Sequence, residues 1–382
     1  MIDNVVSPSQ RHAFSDEVRH FLSVALTADL RKAGRDTIGV YSDIEACRIW
    51  HRRLYERGWI APGWPKAFGG AGWPVWQQLL FERECAANDA PILFAGGLRN
   101  VGPLLIAVGT AWQRELYLPA ILEGGDLWCQ GFSEPGAGSD LAALQTRAIA
   151  DGDDYIVNGS KIWTTGAHIA NRMFCLVRTA TAANRQSGIT FLLIDMASRG
   201  LSVKPIISLS GEHEFNEVRF DNVRVPQANR VGDENDGWAV AKHLMRLARS
   251  SNTTSGLLRR ALRRASGALA DAGDTHRLSQ LECDLRVFEA VELSARSAGE
   301  IDERRASMLK ILATELHQKI TTYALDAVGA SSAAAPADAA LPVWLEAGSF
   351  AVSKYMSTRA ASIYSGTNET HRNLIGRQLL GV

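Results

Sequence analysis

Apolar residues recur along this chain at two different spacings, and the changes of spacing divide it into three. Near the start, Val18, Phe21, Leu22, Ala25 and Leu26 fall at i, i+3, i+4, i+7 and i+8, one face of an amphipathic helix. The Gly-, Pro- and Trp-rich stretch 58–74 interrupts that period and predicts a loop. Helical texture resumes over 77–87 and 114–122. From about Trp128 short β-rich runs take over, at 155–157, 174–177, 189–194 and 217–225, with Val218 and Phe220 sharing a face of the last. Asp151-Gly152 and Asn158-Gly159 bracket the first run and read as two tight turns. After Gly237-Trp238 the helical period returns, and Leu309, Leu312, Leu316, Ile320 and Tyr323 predict one buried stripe. The Ala-, Pro- and Ser-rich run 330–342 reads as a loop between the last long helices. The expected architecture is α+β: an N-terminal helical domain over 1–127, a central antiparallel β-domain (barrel or sandwich) over 128–235, and a C-terminal helical bundle over 236–382. No internal repeat is visible.

Composition narrows the function classes more than it sharpens the fold. An apolar content of 46% with 21% charged residues is that of an ordinary globular protein, and 382 residues suffice for two or three packed layers. Net charge is zero, which gives no support for a nucleic-acid partner or an anionic membrane surface. The segment Met1-Ile2-Asp3-Asn4-Val5-Val6-Ser7-Pro8 has neither the basic start nor the apolar run of a secretory signal. No apolar stretch approaches the roughly 18 residues that cross a bilayer, so the expected location is cytoplasmic. Cys47, Cys85, Cys129, Cys175 and Cys283 are scattered and never form C-x-x-C, and are expected to be reduced, mostly packing residues. No H-E-x-x-H, P-loop or G-x-S-x-G pattern points to a metallohydrolase, nucleotidase or serine hydrolase.

The densest chemical signal lies in Phe132-Ser133-Glu134-Pro135-Gly136-Ala137-Gly138-Ser139-Asp140 and in Lys161-Ile162-Trp163-Thr164-Thr165-Gly166. A dinucleotide-binding reading of Gly136-x-Gly138 fails, because residue 141 is Leu where a third Gly belongs and no βαβ pattern follows. Small residues here instead let backbone approach a flat ring and a phosphate closely. Together the two segments resemble the flavin-embracing β-domain of the acyl-CoA dehydrogenase family. The resemblance extends over nearly the whole chain. Trp64-Pro65-Lys66-x-Phe68-Gly69-Gly70 and Phe81-Glu82-Arg83-Glu84 are similar to the family's N-terminal domain. Glu214-Phe215-Asn216-Glu217-Val218, Val225-Pro226 and Asn235-Asp236-Gly237-Trp238 follow in family order. Ile363-Tyr364-Ser365-Gly366-Thr367-Asn368-Glu369 matches its terminal flavin-contacting turn.

The resemblance implies FAD as cofactor, held by Phe132, Ser133, Gly138, Ser139, Trp163, Thr164, Thr165, Thr367 and Glu369. Ser133 would donate to the flavin ring, Ser139 to the pyrophosphate, and Trp163 would form an aromatic wall. It also implies α,β-dehydrogenation of an acyl-CoA thioester to a 2-enoyl-CoA, with an electron-transferring flavoprotein as acceptor and a dimer or tetramer as assembly. In that chemistry a carboxylate removes the α-proton while a hydride leaves the β-carbon. The thioester oxygen receives a hydrogen bond from the backbone N–H at the base position, here Ser365. Arg249 matches an Arg that the family retains at the mouth of the active site.

The chain departs from the family where the chemistry is done. The commonest base is a Glu directly after the Tyr of the terminal turn, and Ser365 stands there. A minority carry the Glu on the first helix after the β-domain, before an Arg, and Ala248 stands there. Serine has no useful basicity near neutral pH without an adjacent base. The Arg-x-x-Phe-Gly and Gly-Gly-x-Gly elements, which reach the neighbouring subunit's flavin, are replaced by Asp274-Thr275-His276-Arg277-Leu278 and Val328-Gly329-Ala330-Ser331. Three readings follow: an acyl-CoA dehydrogenase whose flavin site is completed by an unlike chain, or which is a homo-oligomer with weakened flavin binding; a non-catalytic partner subunit; and a flavin monooxygenase or oxidase on the same fold. His243 is expected to be an ordinary helix residue and His371 to cap or pair locally. Glu212, His213 and Glu214 are expected in a solvated loop, without metal-ligand spacing. Arg259, Arg260, Arg263 and Arg264 form i, i+4 pairs, more in keeping with a solvated face than with phosphate binding.

Overall fold

The first predicted stripe forms α1 (Pro8–Ala25), with Val18, Leu22 and Ala25 buried and Ser7 closing a reciprocal cap with Gln10. The computed structural model describes residues 7–181, 184–249, 254–267, 275–297, 302–328 and 343–381. After α1 come α2 (Ala28–Arg35), α3 (Ile44–Glu56), α4 (Val75–Ala87), α5 (Gly102–Val108) and α6 (Ala111–Glu123). The strands are β1 (Trp128–Gly131), β2 (Arg147–Asp151), β3 (Asp154–Lys161), β4 (Arg172–Arg178), β5 (Ile189–Asp195), β6 (Leu201–Ile207), β7 (His213–Pro226) and β8 (Arg230–Val231). Helices α7 (Gly237–Arg249), α8 (Ser255–Gly267), α9 (Thr275–Ser297), α10 (Glu303–Val328), α11 (Val343–Thr358) and α12 (Asn368–Leu380) follow. The helix–sheet–helix order is the expected one. The described residues fall into two compact units, one drawn from Met1–Lys66, Gly70–Leu93 and Asn252–Ser362, the other from Ala67–Gly69, Phe94–Ser251 and Ile363–Val382.

The first unit is helical. Leu258 and Leu262 of α8, Leu281, Leu285 and Phe288 of α9, and Leu309, Leu316, Ile320 and Tyr323 of α10 share one apolar cluster. Leu312 departs from the predicted stripe and is exposed, while Ile311 and Ala313 beside it are buried. Helix α10 packs against α8, α9 and α11, so burial spreads around it and Leu312 falls on the remaining side. The predicted 330–342 loop lies outside the described residues.

The second unit is organised by the sheet, in the order β6-β7-β3-β2-β4-β5-β8, with β1 pairing to β4. Most ladders are antiparallel, but β1 runs parallel to β4, from Trp128 opposite Arg172 to Gly131 opposite Cys175. Strand β5 is buried from Ile189 to Ile194, and α7 packs on it, which explains an apolar run without alternation. Val218 and Phe220 do point into one core with Tyr155, Val157 and Val225. Asp151-Gly152 sits at the β2–β3 turn, as expected. Asn158-Gly159, read from sequence as a second turn, instead lies inside β3, where the register against β7 shifts. Gly159 has φ +145°, and a Cβ there would come within 2.7 Å of Thr146, so the glycine makes a bulge, not a chain reversal. Strand β6, which carries Pro205 and exposed positions on both faces, had no sequence stripe to announce it.

Candidate functional site

The two dense motifs meet where β1 and β3 end. Phe132 is buried, edge-on to Phe174 at 5.9 Å and to Phe191 at 6.1 Å. The Ser133 carbonyl accepts the Ile162 N–H at 2.9 Å, so the first loop runs beside the exit from β3. Glu134 and Ala137 exchange backbone hydrogen bonds of 3.0 Å, which closes the tight loop between them. Below it, the Glu134 carboxylate accepts from Lys161 Nζ at 2.8 Å, Thr146 N at 2.8 Å and Gln145 N at 2.6 Å. Lys161, with no exposed side-chain surface, also donates to the Phe132 carbonyl at 3.1 Å. Burial pushes the Glu134 carboxyl up, but the Lys161 charge and the three donors outweigh it and hold it below its ordinary value. A buried pair bonded this fully resists removal of either partner at about 3–5 kcal/mol. Sequence reasoning assigns Glu134 and Lys161 no role of their own. Their signal is charge embedded in otherwise small or apolar motifs.

Trp163 follows with φ +59°, a left-handed backbone that a bulky side chain rarely adopts, and its ring is 58% exposed and edge-on to Phe215 at 6.2 Å. Thr164 is wholly buried. Its N–H donates to the Asn216 carbonyl at 3.0 Å, and its carbonyl accepts from Asn216 Nδ2 at 3.1 Å. Its hydroxyl has no hydrogen-bond partner among the described residues. A buried hydroxyl left unmatched costs about 1–3 kcal/mol, so it marks a place where a ligand supplies the partner. Gly136 and Gly138 face open space, since a Cβ on either would meet nothing within 4 Å. Ser133 and Thr165 are half-buried and Ser139 exposed. An exposed aromatic wall, an unmatched buried hydroxyl and a small-residue loop with room around it fit a flat, polar-edged ring with a phosphate tail, as FAD requires.

The terminal turn is equally specific in backbone. Ser365 has φ +57° and Gly366 φ +87°. Thr367 caps α12, its hydroxyl accepting from Thr370 N at 3.1 Å, and Glu369 lies exposed in the first turn, 3.7 Å from Arg372. His371 is buried, and its Nε2 lies 3.0 Å from the Ser365 carbonyl. A carbonyl only accepts, so this nitrogen carries the proton and the expected local pairing is met. Burial and the Glu214 carboxylate push the Tyr364 phenol up, which brings this turn electrostatically to the start of β7. Glu214 is therefore a buried residue of a strand, not part of a solvated loop; only Glu212 and His213 are exposed there. Ala248 and Arg249 close α7, and their side chains lie outside the described residues. His243 Nδ1 accepts from the Arg246 guanidinium at 2.9 Å within α7, where both residues are half-buried. Asp274 and the run 329–331 also lie outside the described residues.

The arginines of α8 turn inward to protein partners. Arg259 binds Glu289 at 2.7 Å, Arg260 the Ala90 carbonyl at 3.0 Å, and Arg263 Asp89 at 2.8 Å, while Arg264 stacks on Phe350. They staple helices together and are neither a solvated face nor an open phosphate cradle. Among the described residues no group of three or more metal-ligating side chains occurs, and no helix is long and apolar enough to cross a membrane.

Three family profiles cover the chain in sequence: "Acyl-CoA dehydrogenase, N-terminal domain" matches residues 8–125, "middle domain" 129–223 and "C-terminal domain" 235–380. Acyl-CoA dehydrogenase IpdE1 of Mycobacterium tuberculosis is 34% identical over 348 residues, 88% of this chain and 88% of that protein. Acyl-CoA dehydrogenase FadE29 of the same organism is 34% identical over 391 residues, covering 99% and 98%. Among solved structures, the Tcur3481-Tcur3483 steroid ACAD superposes with a TM-score of 0.84 at 27% identity, covering 99% of both chains. The ChsE4-ChsE5 complex from Mycobacterium tuberculosis gives 0.82 at 26% identity, again over 99% of both.

Proposed function

Because the chain belongs to the acyl-CoA dehydrogenase family, whose members are FAD-binding flavoproteins, we propose that it takes part in the α,β-dehydrogenation of an acyl-CoA thioester to its 2-enoyl form. The observation that carries this reading is the buried, unmatched Thr164 hydroxyl beside the exposed Trp163 ring. FAD, when bound, accepts the hydride equivalent from the substrate's β-carbon. Thr164 or Thr165 would donate to the ring edge, Trp163 would wall it, and the Phe132–Ser133 and Gly138–Ser139 segments would lie against the ring and its phosphates. Thr367 and Glu369 complete the cofactor contacts from the start of α12. The Ser365 N–H donates to the thioester oxygen, a contact that survives loss of the acidic side chain because it is made by backbone. Arg249 matches the Arg that the family retains at the mouth of the site. The acceptor of the electrons is an electron-transferring flavoprotein, the assembly is an oligomer, and the location is cytoplasmic. Similarity to a steroid ACAD supports a bulky polycyclic acyl group as the substrate class.

Serine at 365 and alanine at 248 favour a second reading, in which this chain shapes a flavin site whose base comes from an unlike subunit. Similarity to the ChsE4-ChsE5 complex and to the doubly named Tcur3481-Tcur3483 protein supports such an assembly. The visible spectrum of the full chain, purified without any partner, separates the two. A near-stoichiometric flavin band that bleaches on addition of acyl-CoA is the expected result for a self-sufficient enzyme. A folded, colourless protein that takes up FAD only with a second chain is expected for the partner subunit. Failure to bind FAD at high cofactor concentration in either state sinks both.

A further inference from the structure

We propose that Asn216 is the positioning residue of the flavin-facing segment, and that its side chain holds the Thr164 carbonyl only while His168 is unprotonated. The inference rests on reading this segment as part of the FAD site. Asn216 lies fully buried on β7 and holds both backbone groups of Thr164, the N–H through its own carbonyl and the C=O through its side-chain amide. Only the Thr164 hydroxyl is then left for a ligand.

The same side chain is shared with two imidazoles. Asn216 Nδ2 lies 3.1 Å from His168 Nδ1, and Asn216 Oδ1 lies 2.9 Å from His213 Nε2. An amide nitrogen has two protons, and here one serves the Thr164 carbonyl and the other His168. His168 Nδ1 is therefore a bare acceptor, and its ring is the neutral tautomer with the proton on Nε2. The amide oxygen only accepts, so His213 Nε2 carries a proton. These assignments follow from the donor–acceptor balance of the network.

Protonating His168 sets an N–H against the amide N–H. It also places a cation on an imidazole whose neighbour His213 is stacked at 3.9 Å between centroids and 21° between planes. Flipping the amide relieves the first clash, but it turns the amide oxygen toward the Thr164 carbonyl and removes the side-chain half of the grip, while the bond from the Thr164 N–H to the Asn216 backbone carbonyl stays. His168 and His213 are exposed, and while their stack keeps His168 against Asn216, protonation and the side-chain bond to the Thr164 carbonyl exclude each other. The titratable group facing His168 is His213, from β7; Asn216 and the Thr164 carbonyl are its neutral neighbours. Of the acids flanking His213 in the chain, Glu212 is exposed and Glu214 acts on Tyr364. Burial and His213 both lower the His168 pKa from its ordinary 6.5, against the Asn216 bond, so the acid limb lies below that value.

FAD affinity of the full chain, with its partner if one is required, is measured by flavin fluorescence between about pH 5 and about pH 8, the imidazole range. The wild type is expected to lose about tenfold in affinity on acidification, the worth of one buried hydrogen bond, as His168 gains its proton. Asn216→Ala is expected to bind about tenfold more weakly at neutral pH and to show a flat profile. His168→Gln, whose side-chain oxygen accepts the same amide proton without titrating, is expected to bring the ratio of Kd at the two pH limits to about one. Should Asn216→Ala fail to fold, His168→Gln decides alone. Wild-type affinity and acid loss retained in either variant overturn the proposal while leaving the FAD reading intact. A wild type that binds no FAD at any pH overturns the underlying reading instead.

Discussion

The loops at the ends of β1 and β3 and the terminal turn before α12 both hold a non-glycine residue in left-handed backbone, Trp163 in one and Ser365 in the other. They differ in what supports that backbone and in what chemistry remains. Around Trp163 the support is a buried ion pair, Glu134–Lys161, together with the double grip of Asn216, and the residues aimed outward are intact. Around Ser365 the support is an imidazole bond from His371, and a hydroxyl stands where the family places a carboxylate. On the proposed reading, cofactor binding is spread over residues of both loops and the terminal turn, so it tolerates drift. On the same reading, proton removal in the family is concentrated in one side chain, and serine stands at that position here.

Restoring the acid at the terminal turn tests that contrast most sharply. Ser365→Glu is expected to raise the rate of acyl-CoA-dependent flavin reduction by about 10²–10⁴-fold, the usual worth of a general base, in stopped-flow bleaching of the flavin band. No gain would mean that the turn lacks more than its side chain. Breaking the support of the other region comes next. Lys161→Met leaves a buried carboxylate uncompensated and is expected to cost about 3–5 kcal/mol in denaturant unfolding, with much of it recovered in Glu134→Gln/Lys161→Met. A loss below about 1 kcal/mol would mean that the pair behaves like a surface bridge. The smallest effect carries two signs. Thr164→Val removes the unmatched hydroxyl, so it is expected to stabilise the cofactor-free chain by up to about 1 kcal/mol while weakening FAD about tenfold. Thermal melts with and without FAD check both; equal shifts of one sign would detach Thr164 from the cofactor.

Much of the fold was legible because burial leaves a local imprint. Val18, Leu22 and Ala25 of α1 and the continuous apolar run of β5 were announced by spacing alone. The parts that were not legible depend on partners far along the chain. Asn158-Gly159 carries the same residues as a hairpin turn, and only the approach of Thr146 makes it a bulge. Leu312 keeps the helical period but lies on the side of α10 away from α8, α9 and α11. Glu134 and Lys161 stand 27 residues apart, and no local rule pairs them. Asn216 appeared as one letter of a family motif, and its double hold on Thr164 exists only after β7 and the β3 exit have met. The candidate cofactor residues were named because motif order carries long-range information that periodicity lacks.

The turn at Ser365 has a consequence for how such a protein changes over generations. Its shape is set by Gly366, where a Cβ would come within 2.9 Å of the His371 ring, and by the bond from His371 to the Ser365 carbonyl. Neither depends on the side chain at 365. A non-glycine residue in left-handed backbone carries a cost of about 1–2 kcal/mol, which serine bears here. Selection on turnover acts on the side chain at 365, while the two contacts named here are made by its neighbours and by backbone. A lineage whose partner chain supplies the base is released to drift there, and a lineage that again needs its own base can regain one without rebuilding the turn.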